Sequence, residues 1–266
     1  GDVALNKVEE LELAAYAPEF ARDVPVQERT FDQLELRAVH YSYPARDGDG
    51  DGGFAVGPLS WTLQRGEIVF VIGGNGSGKS TLARLLSGLC EPTGGELRLD
   101  GESIEPARYA SLRGLFSAVF SDFHLFKHVL GAEGAADADA AGEWLERLGL
   151  REKVAIADGR LSDLKLSTGQ RKRLALLLGV LEDRPILLLD EWAADQDPMF
   201  RRVFYLEILP QLKAAGRTIV AITHDEAYFG VADRILKLDS GRLVEDSRPT
   251  AATRLGLHET AAVIPS

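Results

Sequence analysis

From Phe31 onward the apolar positions fall into two kinds of run. Leu34, Leu36, Ala38 and His40 alternate with polar residues, the period of a half-buried strand that Tyr43-Pro44 ends. A second strand is expected near Leu59 to Leu63, which makes a hairpin across the Gly/Asp-rich residues 45–53. By contrast, Ile68-Val69-Phe70-Val71-Ile72, Ile186 to Leu189 and Thr218 to Ile222 are continuous apolar runs, each predicting a strand buried on both faces. Shorter strands are expected at Glu96 to Leu99 and Phe116 to Phe120, and a closing hairpin from Ile235 to Leu238 and Arg242 to Val244 across Asp239-Ser240-Gly241. Helices are expected from Lys79 to about Leu89, around Glu143 to Leu148 after a loose Ala/Gly/Asp-rich connection at 131–142, and from 170 to 181, where Gln170-Arg171-Lys172-Arg173 leads into Leu174-Ala175-Leu176-Leu177-Leu178. Strands alternating with helices predict an α/β fold with a mainly parallel sheet and an antiparallel part at the front. Ahead of it, Ala4, Val8 and Leu11 stand at helical spacing, and Pro18 and Pro25 bracket an irregular linker. The tail from Arg248 gives little signal.

Composition narrows the choice of function. The chain has 266 residues, enough for one large α/β domain or two small ones, and is 45% hydrophobic and 27% charged. Its net charge of -11 argues against binding nucleic acid through the phosphate backbone and against broad adhesion to an anionic membrane. Cys90 is the single cysteine, which suits a reducing compartment and reads as a buried structural thiol. Leu174 to Leu181, the longest strongly apolar stretch, is far short of the ~20 residues that span a bilayer. The start, Gly1 to Lys7, lacks the basic stretch and apolar core of a secretory signal.

Three places carry chemistry. Gly73-Gly74-Asn75-Gly76-Ser77-Gly78-Lys79-Ser80 matches G-x-x-x-x-G-K-[ST] between a buried strand and a helix, with Thr81 next in the helix. The glycines let backbone N–H groups turn inward around phosphates at a helix N-terminus. Lys79 supplies a point charge for the β- and γ-phosphates, and Ser80 a hydroxyl for Mg²⁺. Second, Ile186-Leu187-Leu188-Leu189-Asp190-Glu191 ends an apolar strand in two acids: Asp190 is placed to hold Mg²⁺ through water, and Glu191 to polarise an attacking water as general base. Third, the strand Thr218 to Ile222 runs out into Thr223-His224-Asp225, on the edge where α/β sheets bind ligands, so the His224 imidazole is placed to contact the γ-phosphate and Glu191. A lone histidine is more often structural, but His40, His124, His128 and His258 have no comparable setting. Asp47-Gly48-Asp49-Gly50-Asp51-Gly52 looks like the opening of a calcium loop, yet the twelfth position is Pro58 where a Glu is needed, so a solvated turn is the better reading.

With Leu166-Ser167-Thr168-Gly169-Gln170, which resembles the LSGGQ signature, these residues are similar in kind and order to the ATP-binding cassette (ABC) ATPases, over about residues 32 to 246. The resemblance implies a P-loop NTPase fold with a helical signature subdomain at about 122–182, ATP and Mg²⁺ as ligands, and a head-to-tail homodimer formed on ATP binding. In such a dimer Ser167, Gly169 and Gln170, at the start of a helix carrying about half an elementary charge, close over the γ-phosphate held by the other subunit. The resemblance also implies that Tyr43 stacks on adenine, the alternative being a core aromatic. Asp197 would be the acid of the D-loop, a role compatible with capping the helix that starts at Pro198.

Three positions depart from the family pattern: Thr168 for Gly, Trp192 for Pro, and Ser121 at the position of the Q-loop glutamine, where the resemblance implies a place beside Mg²⁺ with Ser80 and Asp190 although the Ser side chain is shorter than Gln. The strings Phe116 to Phe126 and Asp190 to Pro198 resemble the cyclic-peptide exporter subgroup, which includes exporters of pyoverdine precursor, syringomycin-type lipopeptides and microcin-type peptides. Similarity to the pyoverdine type implies six membrane helices ahead of the ATPase domain. A helix at residues 3–13 would then be the cytoplasmic end of the last one, residues 1–30 a linker, 31–247 the nucleotide-binding domain and 248–266 a tail. It further implies a place on the cytoplasmic face of the inner (cell) membrane, with a small or cyclic peptide, such as a siderophore precursor, bound by the membrane domain. The rival is a soluble ABC ATPase acting on ribosomes or DNA, which commonly carries two cassettes or a long coiled coil; a third reading, a binding module without hydrolysis, is opposed by Lys79, Asp190 and Glu191.

Overall fold

The computed structural model describes residues 30–43, 53–123, 125, 138–157, 160–162, 166–250 and 253. The helix expected at 3–13, its linker, the Asp/Gly turn at 47–52 and most of the tail lie outside the described residues.

A six-stranded sheet forms the centre. Its strands are β3 (Ile68–Ile72), β6 (Phe116–Val119), β9 (Ile186–Asp190), β10 (Thr218–Ile222), β11 (Arg234–Asp239) and β12 (Arg242–Ser247), in the order β12-β11-β3-β10-β9-β6. All neighbours are parallel except the terminal hairpin β11–β12. The continuous apolar runs are divided between two cores by the strand period of two. Ile68, Phe70, Leu187, Leu189, Ile219 and Ala221 enter one cluster, while Val69, Val71, Ile186, Leu188, Val220 and Ile222 enter the other. Both faces are therefore covered, as parallel strands require, and each of the Val, Leu, Ile and Phe side chains contributes ~1.5–3 kcal/mol of burial.

On one face pack α4 (Thr168–Leu181), with Leu174 and Leu177, and the helical stretch 198–214, with Phe204 and Ile208. The other face takes α1 (Lys79–Leu86) and an antiparallel sheet of order β2-β1-β4-β5, made of β1 (Gln33–Ser42), β2 (Ala55–Gln64), β4 (Gly94–Leu99) and β5 (Glu102–Ser103). The remaining elements are α2 (Tyr109–Gly114), α3 (Ala138–Arg147), a small β7–β8 hairpin (Ile156–Ala157 and Arg160–Leu161), α5 (Pro198–Val203) and α6 (Leu209–Ala214).

Several expectations shift. The alternation across Leu34, Leu36, Ala38 and His40 breaks at a bulge: Ala38 takes φ +46, the pairing to β2 slips between Leu36 and Val39, and Val39 is buried in place of Ala38. The first helix stops at Leu86 rather than near Leu89, because Ser87 Oγ donates back to Ala83 O at 2.9 Å and Gly88 turns left-handed at φ +69. The signature helix begins at Thr168, two residues ahead of Gln170. Between α5 and α6 the turns widen into a π-helix at Phe204–Ile208, ahead of Pro210, whose ring and missing N–H disrupt the regular α ladder.

The register of the central strands decides where their ends meet. Ile222 of β10 pairs with both Val71 of β3 and Asp190 of β9. The C-terminal ends of these three strands are thus level, and the segments leaving them emerge along one edge.

Candidate functional site

Gly73 follows β3 into the phosphate loop at φ +145, and a Cβ there would lie 2.2 Å from Leu238 O and 2.7 Å from Ser77 Oγ. Only glycine takes this path. Gly76 and Gly78 are also left-handed, at φ +74 and +101. The loop is held from outside by the β11–β12 turn: Gly241 N donates to Ser77 O at 3.0 Å, and Gly241 O accepts from Gly57 N at 2.7 Å. Helix α1 begins at Lys79 with Gly78 as its cap residue, so its first-turn N–H groups open onto the loop. The Lys79 ammonium, buried at 6% exposure, donates to Gly73 O and Gly74 O at 2.9 Å each, and among the described residues its third proton has no partner. Among the described residues Ser77 Oγ is buried without a partner.

Asp190 closes β9 beside this loop. Burial pushes its carboxyl above the ordinary range, with Glu191 adding to the push and the Ser80 hydroxyl and Lys79 opposing it. Its Oδ1 is buried and has no hydrogen-bond partner among the described residues. An orphaned carboxylate oxygen on a carboxyl that also feels the Ser80 hydroxyl is a donor set that suits Mg²⁺, which takes one or two carboxylates together with phosphate oxygens.

Glu191 is left-handed at φ 50, ψ 35, and its N–H is tied to Ile222 O at 3.1 Å. This carries the chain sideways toward β10 and brings Glu191 Oε1 to 3.3 Å from His224 Nε2. The residues flanking His224 are anchored from below. Tyr205 hydroxyl lies 2.6 Å from Thr223 Oγ1 and donates to Asp225 Oδ2 at 2.9 Å, and Arg201 pairs with Asp225 at 3.1 Å. Burial holds the Tyr205 phenol far above its ordinary range, so it remains a donor.

The signature segment lies at the start of α4. Ser167 forms a capping box with Gln170: Ser167 Oγ accepts from Gln170 N at 3.3 Å, and Ser167 N donates to Gln170 Oε1 at 3.1 Å. A Cβ on Gly169 would lie 2.7 Å from Asp195 O, so the helix start sits directly on the segment after Glu191. Gln196 Nε2 donates to Gly169 O at 3.1 Å, and Arg173 reaches Gln196 Oε1 at 2.8 Å and Asp197 Oδ2 at 2.7 Å while covering the Phe200 ring at 3.6 Å. Asp197 caps α5 by accepting from Phe200 N at 2.9 Å; that bond, then Arg173, holds its carboxyl below the ordinary range.

Of the residues singled out in the sequence, the structure brings the loop Gly74 to Thr81, Asp190, Glu191 and His224 to one edge. Tyr43 stands at the end of β1, half-buried, with its hydroxyl 3.1 Å from Thr81 Oγ1 and its ring edge-on to Tyr41 at 4.9 Å. Ser121 is exposed in the turn after β6; since Val119 pairs with Leu189, it lies one residue beyond the level of Asp190. Ser167, Gly169, Gln170 and Asp197 gather apart from these, as a surface group around the start of α4. Sequence patterns do not single out Lys172, Gln196 or Gly241. Lys172 is the middle of the basic run Arg171-Lys172-Arg173, which hides it in sequence, and the other two act through contacts distant in sequence.

The loop, the paired acids and the histidine on one sheet edge define a P-loop nucleotide-binding cassette. A family model described as ABC transporter matches residues 56–194, and the chain belongs to that family. It is 49% identical over 221 residues, 82% of the chain, to the ATP-binding protein SyrD of Pseudomonas syringae pv. syringae. It is 33% identical over 233 residues, also 82% of the chain, to an ATP-dependent lipid A-core flippase of Alkalilimnicola ehrlichii. The chain spans only 39% and 38% of those two relatives. Among solved structures it is similar to a bacterial Atm1-family ABC exporter with ATP bound, at TM-score 0.68 and 26% identity over 88% of this chain and 43% of that one. It also shares the fold of an ATP-binding cassette in a dimeric post-hydrolysis state with ADP and Pi, at TM-score 0.67 and 24% identity over 81% of this chain and 98% of that one. The chain is an ATPase domain of the ABC type, and ATP is its nucleotide. Among the described residues no helix is long and apolar enough to cross a membrane.

Proposed function

We propose that this chain is the nucleotide-binding domain of an ABC exporter, hydrolysing ATP between two copies arranged head to tail. The observation that carries the reading is the meeting of Glu191 and His224 at 3.3 Å on the strand ends that flank the phosphate loop. Glu191 there is the general base for the attacking water, and His224 orients it and contacts the γ-phosphate. Lys79 and the loop N–H groups from Gly74 to Ser80 hold the phosphates, with Thr81 supporting the loop from the first turn of α1. Tyr43, beside Thr81, presents its ring to the adenine.

Ser80 and Asp190 are the residues that would hold Mg²⁺, which neutralises phosphate charge when bound; Ser121 lies on the neighbouring turn. Ser167, Gly169 and Gln170, at the partly exposed start of α4, close over the γ-phosphate of the second copy, with Asp197 at the same surface. ATP then holds the two copies together, and hydrolysis releases them.

The export reading is supported by relatives whose names include a lipid A-core flippase and a macrolide export ATP-binding/permease protein. On that reading residues 1–30 connect to a membrane domain, residues 31–247 form the cassette, and the domain lies on the cytoplasmic face of the inner membrane. The cargo is a small or cyclic peptide of the siderophore-precursor kind, supported by the resemblance of the strings Phe116 to Phe126 and Asp190 to Pro198 to the cyclic-peptide exporters.

Replacing Glu191 with Gln tests the site. ATP binding is retained, hydrolysis falls by about 100-fold or more, and an ATP-bound dimer accumulates in light scattering. Wild-type turnover by Glu191→Gln, or a monomer at saturating Mg-ATP, contradicts the reading.

A further inference from the structure

Lys172 lies on α4, five residues after the signature serine, and is only 3% exposed. A buried ammonium is rare and calls for partners. Its Nζ donates to the backbone oxygen of Glu191 at 2.8 Å and pairs with Asp195 Oδ2 at 2.7 Å. The contact is returned: Trp192 Nε1 donates to Lys172 O at 2.7 Å, and the Trp192 ring is stacked on Phe204 at 4.3 Å. Glu191 itself stands in a left-handed conformation that persists in a non-glycine residue only where the surroundings over-determine it. Bonds on both sides do so here: Glu191 N donates to Ile222 O on one, and on the other Glu191 O accepts from Lys172 Nζ at 2.8 Å and from Ala194 N at 3.3 Å.

We propose that Lys172 is a positioning residue that ties the signature helix of each copy to the carbonyl of its own Glu191. The inference rests on Glu191 being the base. In a head-to-tail pair, the N-terminus of α4 meets the nucleotide of the second site, while about one and a half turns further along the same helix holds the base of the first. Seating the signature on one ATP therefore fixes the base facing the other, and the two sites turn over together. Trp192 and Lys172 form one device: the indole anchors the helix backbone, and the ammonium returns to the backbone next to the indole.

The test compares Lys172→Met and Lys172→Gln in the 266-residue chain. Both fill the slot with an unbranched chain of similar length, but only Gln keeps an N–H donor for the Glu191 carbonyl. The expected result for Lys172→Met is a kcat lower by about tenfold or more, with KM for ATP within about twofold and a Hill coefficient for ATP reduced toward one. Lys172→Gln recovers most of that loss. Equal kcat in the two variants, or a kcat for Lys172→Met within about twofold of wild type, overturns the proposal. If Lys172→Met does not fold, Trp192→Phe decides: it keeps an aromatic ring on Phe204 but loses the indole N–H. A kcat lower by about threefold at unchanged KM is expected, and an unchanged kcat overturns the link. Glu191→Gln run alongside separates the two levels. If it retains turnover, the base assignment fails; if it loses turnover while Lys172→Met does not, only the Lys172 link fails.

Discussion

The phosphate loop and the signature segment bind the same nucleotide from opposite sides in the proposed dimer, yet they are built in opposite ways. The loop is a backbone structure. Gly73 and Gly241 occupy conformations and spaces that exclude a Cβ, and the loop's main fixings are Lys79 on two backbone oxygens and Gly241 N on Ser77 O. The signature is a side-chain structure. Ser167, Gln170, Arg173 and Gln196 hold it, every one of them through a side-chain atom. A backbone cradle does not depend on rotamers and is ready before the anion arrives. A side-chain network on the segment after Glu191 moves with that segment, so the signature half of the site is the half that reports on the state of the catalytic one.

This contrast can be broken by substitution. The largest effect is expected from Lys79→Ala, which removes the point charge from the cradle: kcat/KM for ATP falls by about 10²–10³, read by steady-state hydrolysis. Gly241→Ala comes next. At φ +77 its Cβ would lie 2.2 Å from Ala55 O, so the variant loses about 3 kcal/mol in denaturant melts and nucleotide binding with it, although residue 241 carries no functional group. If Gly241→Ala is harmless, the loop is not backbone-defined. Ser167→Ala removes the cap of α4 and costs ~1 kcal/mol, with hydrolysis reduced more than the binding of nucleotide to a single copy.

The smallest effect is one of opposite sign. Burial raises the Asp190 pKa in the folded chain above its unfolded value, so this residue's contribution to stability is fullest below the ordinary aspartate range and is lost as pH rises through the folded pKa. Asp190→Asn should therefore be more stable than wild type at pH 7 and no more stable near pH 4, read by denaturant melts at the two pH values, while losing Mg²⁺-dependent hydrolysis. A stability difference that does not change with pH would show that the carboxylate is not strained by its site.

The same contrast explains what is legible in the sequence. The phosphate loop, the acids after β9 and the histidine after β10 can be placed from sequence because backbone motifs and buried strands are local patterns, and register then forces their ends level. The end of α1 is harder to read because Ser87 and Gly88, ordinary residues by composition, stop it through a back-bonded hydroxyl and a left-handed turn. The bulge at Ala38 is invisible since alternation continues on either side of it with the faces exchanged. Trp192 stands out as a departure from a pattern, but its partner Lys172 does not, because the bond between them joins residues 20 apart in sequence and depends on how α4 lies across the end of β9.

The central claim is that one nucleotide is shared between the loop of one copy and the signature of another, and complementation tests it most directly. Lys79→Ala has a dead loop and an intact signature; Ser167→Arg has an intact loop and a signature blocked by bulk and charge. Each alone should be inactive. Mixed in equal amounts, half of the pairs contain one complete site of two, so ATP should form mixed dimers that neither variant forms alone; because the base of that site belongs to the copy whose own signature is blocked, ATPase activity should return to less than a quarter of wild type. A mixture that forms no ATP-dependent dimers in light scattering, or a Ser167→Arg variant that hydrolyses ATP normally by itself, would contradict the shared site.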